Sequence, residues 1–183
     1  MSDETLVKNC SPTLAGIKTG NLFNVHFTDR QSLYKDLRDL NKRLSAKGLR
    51  IIPMRYWEDR VLLYIYRPKH LQQDLLDQDA LSILHEMDYP CTAPDQCIVK
   101  LIQKMKTTSE FPHEIGLFLG YPPEDVRGFI ENKADYYKCV GTWKVYGNVE
   151  NAQKTFRKFK KCTNTYCELI KNGKSIEQLT VAV

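Results

Sequence analysis

The sequence has no Cys-x-x-Cys pair, although it holds six cysteines: Cys10, Cys91, Cys97, Cys139, Cys162 and Cys167. A zinc ribbon or a thioredoxin-type site therefore has no local signature. No apolar run approaches the length that spans a bilayer, so no membrane partner is expected. The first ten residues, MSDETLVKNC, open with polar and acidic groups and lack the order of a secretory signal. A cytoplasmic setting with reduced thiols follows, because secreted disulfide scaffolds are shorter and denser in cysteine. Internal repeats, low-complexity stretches and dividing linkers are also missing, and one domain over residues 1–183 is the expectation. Strong charge of one sign is absent: a net charge of +5 permits a phosphate-bearing partner without demanding one. With 42% hydrophobic and 27% charged residues, the composition is that of a folded globular protein rather than a disordered one.

Periodicity supplies the elements. Ser11 and Pro12 read as the cap and first residue of a helix that continues through Leu14, Ile17 and Leu22. Asp29 reads as the cap of a second helix, reaching Ala46, whose Leu33, Leu37, Leu40 and Leu44 make a buried stripe. The period then changes. Leu49 to Tyr56 and Val61 to Tyr66 read as two strands of an antiparallel hairpin, with Pro53 pushing the first toward an edge. Helices are predicted over His70 to Leu76, Leu81 to Met87 and Ile98 to Met105, and a long one over Val149 to Ile170. Thr142 to Tyr146 reads as a short strand. The fold class is α+β, a mostly helical domain with a small antiparallel sheet.

The most concentrated motif is FPHEIGLFLGYPPEDVRGFIENK, residues 111–133. It predicts a short helix opening at Pro112, a left-handed stop at Gly120 and a second helix after Pro122 and Pro123. A strand over Ile115 to Leu119 is the alternative, since Ile115, Leu117 and Leu119 also alternate. The layout is similar to a DNA-binding helix–turn–helix. The second helix nevertheless carries Glu124, Asp125 and Glu131, acids that repel phosphate, and specific DNA binding is not expected.

Three chemistries compete for these residues. In the first, Cys10 is a nucleophile whose thiolate is favoured by a helix N-terminus, His113 is its general base and Glu114 orients that base. Lys18 beside the thiol, with Tyr121, Arg127, Trp143 and Tyr146, would bind the substrate of such a hydrolase or transferase. In the second, Cys10, Cys139, Cys162 and His113 converge on a metal or an iron–sulfur cluster, although no local ligand pair and no cofactor signature supports them. In the third, the aromatic residues line a pocket for a small-molecule or protein partner in a non-catalytic regulatory module.

The motifs CSPTLAGIKTGNLF, FPHEIGLFLGYPPEDVRGFIENK, CVGTWKVYG and FRKFKKCT together resemble those of a family of bacterial proteins, found mainly in anaerobic Firmicutes and described as a domain of unknown function. The resemblance covers nearly the whole chain. It implies a single-domain cytosolic bacterial protein, and through its association with flavodoxin and iron-uptake genes a metal or redox role. It supplies no reaction, cofactor or catalytic residue. The phrase HEIGLFLG after an upstream CSP is also weakly similar to papain-like cell-wall peptidases, from which its histidine-to-glycine spacing departs.

Overall fold

Ser2, not Ser11, opens the first helix. Its hydroxyl accepts from the Thr5 amide, and Asp3 and Glu4 place negative charge at the positive end of the dipole. The computed structural model describes residues 1–90, 93–108 and 110–182. In chain order its elements are α1 (Asp3–Leu14), β1 (Gly20–His26), α2 (Arg30–Leu44), β2 (Arg50–Trp57), β3 (Arg60–Tyr66), α3 (Pro68–Leu75), α4 (Gln78–Glu86), α5 (Pro94–Thr107), α6 (Ile115–Phe118), α7 (Pro123–Glu131), β4 (Cys139–Val140), β5 (Lys144–Val145), α8 (Val149–Lys171) and α9 (Ile176–Leu179). The architecture is α+β: mostly helical, with one three-stranded and one two-stranded antiparallel sheet among the described residues.

The chain divides into two compact units, Met1–Lys69 with Phe159–Val183, and His70–Lys158. In the first, the sheet order is β1-β3-β2, with Gly20 opposite Tyr66 and Arg50 opposite Tyr66 on the other side. Pro53 therefore lies on an edge strand, where its missing N–H breaks no ladder, and a register shift follows between Pro53 and Arg55. Val61, Leu63 and Ile65 face one way and pack with Leu6, Val7, Leu14 and the four leucines of α2. Asp29 caps α2 through the Ser32 amide, as its sequence position predicts.

Three expectations are corrected here. The helix predicted from Ser11 through Leu22 is instead the last turn of α1, a left-handed stop at Gly16 and strand β1. Pro12 lies inside the last turn of α1, where it supplies no N–H, and Ser11 donates to the Val7 carbonyl within the helix. The helix expected from Pro112 begins only at Ile115, and that segment is helical rather than extended. The Thr142 to Tyr146 strand shrinks to Lys144–Val145, paired with Cys139–Val140.

In the second unit, α7 is the hub. It packs on α4, α6 and β5. Arg127 of α7 donates to both Glu86 oxygens at 3.1 Å and to the Ser82 hydroxyl at 3.1 Å, fastening α7 to α4.

Candidate functional site

The turn between α6 and α7 builds the site. Tyr121 donates its amide to the Gly116 carbonyl at 3.0 Å, and Gly120 donates to Leu117 at 3.1 Å. This pair of bonds is a Schellman closure, and Gly120 occupies its left-handed position at φ 72°. The closure turns the Tyr121 ring onto the indole of Trp143, with centroids 4.9 Å apart and planes 29° from parallel. Trp143 meets Phe156 edge-on at 4.6 Å. Its position is fixed by Asp125, which is buried on α7: Oδ2 accepts from the indole N–H at 2.6 Å, and Oδ1 accepts from the amides of Tyr146 and Gly147, each at 2.7 Å. The carboxylate thus ties the β4–β5 hairpin to the helix.

A cavity of about 350 Å³ opens beside this join. Its aromatic wall is Phe111, His113, Tyr121, Phe129 and Trp143. The His113 ring lies edge-on to Phe129 at 4.9 Å and is exposed. Burial pushes the Tyr121 hydroxyl up to about 12, so the wall carries a neutral phenol at physiological pH. Lys144 completes the lining. Its ammonium donates to the Ala134 carbonyl at 2.7 Å and lies 4.7 Å from the Tyr137 ring centroid and 5.8 Å from that of Phe129. The segment that supplies this carbonyl is strained: Lys133, Ala134 and Tyr136 all have positive φ without being glycine.

The other candidate residues fall elsewhere. Cys10 is fully buried in the core of the first unit, whereas His113 and Glu114 belong to the second. Burial raises the Cys10 thiol well above its ordinary value, the opposite of what a nucleophile needs. Cys10 also lies in the C-terminal half of α1, away from the positive end of that helix's dipole. Lys18 is buried too, donates to the Gly20 carbonyl, and is held down to about 7 by burial. Glu114 does not orient His113. It accepts from the Tyr89 hydroxyl at 2.9 Å and from Lys104 at 2.7 Å, and burial together with that carboxylate raises the Tyr89 phenol. Arg127 is an interhelix tie. Tyr146 lies over Gly128, where an added Cβ would come within 2.4 Å of its ring, and its shielded hydroxyl has no hydrogen-bond partner among the described residues. Cys91 lies outside the described residues. Among the described residues no three His, Cys, Asp or Glu side chains gather to hold a metal ion, and no helix is long and apolar enough to cross a membrane.

Phe111, Phe129 and Lys144 are wall residues that the motifs alone do not single out for binding. The signal for Phe129 is present but reads equally as a core position of α7. Lys144 carries none, because it is one cation in a strand of two residues.

Fold and site together define an α+β protein with an aromatic cavity where a helical turn meets a β-hairpin. A family model described as "Protein of unknown function (DUF3793)" matches residues 6–180, and the chain belongs to that family. No curated protein and no solved structure matches it.

Proposed function

We propose that the protein is a non-catalytic binding module of the bacterial cytoplasm that takes a small, flat molecule into the cavity of its second unit. One observation carries the reading: five ring side chains from the two most distinctive motifs line a single cavity of ligand size. Its volume sits at the low end of the range of roughly 300–1,000 Å³ for ligand sites, which suits one or two fused rings. Ring faces recognise ring faces by offset stacking and edge contacts, and the near-parallel Tyr121–Trp143 pair presents such a surface. Against thiol catalysis stand the burial of Cys10 and the raised thiol, which favour a core role.

The test uses Trp143 as its own reporter. The chain has two tryptophans, and Trp57 lies on β2 in the first unit, so Trp57→Phe isolates the cavity signal. Titration with indole, monitored by the Trp143 indole N–H and the backbone amides in two-dimensional NMR, is expected to give a saturable change centred on residues 111–145. Phe111→Ala, which alters an exposed wall residue, is expected to weaken that binding severalfold without lowering the melting temperature. Absence of saturable binding by indole and by a panel of other one- and two-ring aromatics would refute the reading.

A further inference from the structure

We infer that the molecule held by this cavity carries a negative charge beside its ring system, and that Lys144 receives it. The inference rests on the binding reading above and adds the chemical class of the ligand: a planar aromatic anion.

Lys144 is the starting point. Its side chain is only partly exposed, so its ammonium has lost part of its hydration. Two lysines of the second unit have carboxylate partners: Lys104 pairs with Glu114, and Lys154 with Glu150. Lys144 forms no ion pair among the described residues. What holds it is one carbonyl, that of Ala134, and two ring faces. An ammonium has three N–H donors, and the Ala134 carbonyl accounts for one. Ring quadrupoles offset part of the lost hydration but leave the positive charge without a counter-ion.

The acceptor side of the wall points the same way. Asp125 is the lining carboxylate, and its oxygens already take three N–H groups, from Trp143, Tyr146 and Gly147. Those bonds engage three of its roughly four acceptor positions and spread its charge over the hairpin. A cationic ligand would find the carboxylate occupied and meet the charge of Lys144. A neutral ring would stack but leave the ammonium as it is. A ring bearing a carboxylate or a phosphate satisfies both features, with the plane against Tyr121, Trp143 and Phe129 and the anion toward Lys144. The strained turn 133–136 then has a local reason: it delivers the Ala134 carbonyl that fixes the ammonium near Phe129.

The experiment compares two probes that differ in one charge, indole and indole-3-carboxylate, on the Trp57→Phe protein at low ionic strength. The carboxylate is expected to bind at least about tenfold more tightly, a preference of roughly 1.4 kcal/mol. Lys144→Gln should abolish that preference, measured as the ratio of the two affinities, and Lys144→Arg should retain most of it. If Lys144→Gln does not fold, the preference in the parent should still shrink as salt rises from about 20 mM to 500 mM, because screening weakens a solvent-accessible charge pair. Equal binding of the two probes by the parent, or a preference that survives in Lys144→Gln, would overturn the inference and leave Lys144 as a brace for the 133–136 turn. Indole binding in those cases keeps the cavity reading intact. Failure of both probes to bind removes the inference and the reading beneath it together.

Discussion

Lys18 and Cys10 show how burial decides what a residue type means. By sequence they are a thiol and an amine eight positions apart, the raw material of an activated nucleophile. In the fold both are core residues of the first unit. The expected consequence is a pH-dependent stability rather than an activity. Burial lowers Lys18 from its ordinary 10.5 to about 7, so between those values the unfolded chain binds a proton that the native chain does not. Stability therefore rises with pH across that window, by up to about 1.4 kcal/mol per unit. Below pH 7 both states hold the proton and the penalty is constant. Cys10 acts in the opposite sense: its thiol is raised above the ordinary 9.0, so above that pH the unfolded chain loses a proton that the native chain keeps. The net rise is confined to roughly pH 7 to 9. Urea unfolding at pH 6.5, 7.5 and 8.5 should show it, and Lys18→Met should flatten it. An unchanged slope in Lys18→Met would assign the effect to other groups. Nothing in the local sequence distinguishes a buried lysine from a solvated one, because the distinction depends on β1, which the Ser11–Pro12 signal conceals.

At the scale of elements, legibility follows the strength of the period. The α2 stripe, the β2–β3 hairpin and α8 are plain because their apolar spacing agrees with their caps and turns. Strand β1 is hidden: its exposed Asn24 and His26 and its half-buried Leu22 and Val25 give no clean alternation, and only its pairing with β3 makes it a strand. The α6–α7 turn is the case where sequence and structure agree on a single residue. Gly120 adopts φ 72° and closes the Schellman pair. Gly120→Ala should cost about 1 kcal/mol or more through backbone strain, since no contact is lost. The same substitution should loosen Tyr121 against Trp143, so near-ultraviolet circular dichroism should weaken together with the melt. His113→Ala should change the melting temperature little, because its ring is exposed and meets Phe129 edge-on. The reverse order of effects would show that the turn tolerates a side chain and that the histidine holds the core. Of the candidate site, Tyr121, Trp143 and His113 are readable as aromatic or titratable residues in tight motifs. Their gathering is not, since it requires Asp125 to bridge from α7 to the hairpin, and an aspartate after a double proline reads first as a helix-dipole residue.

At the scale of the whole molecule, both units draw on α8: positions 149–158 belong to the second and the remainder, from Phe159, to the first. The first unit also gathers both ends of the chain, and Arg67 is the residue that joins them. It follows β3 directly and is buried, yet no carboxylate meets it among the described residues. Its Nε donates to the Thr13 carbonyl at 2.7 Å, Nη2 to Leu14 at 2.7 Å and Val181 at 2.8 Å, and Nη1 to Lys47 at 3.1 Å. Thr13 and Leu14 end α1, so the guanidinium caps carbonyls that have no partner in their own helix and answers the negative end of its dipole. Replacing a buried ion pair by apolar groups is often harmless because both charges leave together. Here the partners are main-chain carbonyls, which no substitution removes. Arg67→Met should therefore remove four hydrogen bonds; Thr13 and Leu14 keep bonds from the Gly16 and Val181 amides, and the loss at Lys47 and Val181 should cost about 2 kcal/mol or more, at roughly 1–3 kcal/mol for each carbonyl that water cannot reach. Arg67→Lys should fall between the two, since an ammonium cannot span all four. The loss should be visible first at the C-terminal segment, where Val181 also donates to Leu14 at 3.0 Å, and where Ile176 and Leu179 enter the core. Amide exchange at residues 176–182 should accelerate in Arg67→Met before the sheet amides of β3 do. A variant that melts with the parent and keeps those amides protected would mean that water replaces the guanidinium at little cost, and that the two ends are held by Ile176 and Leu179 alone.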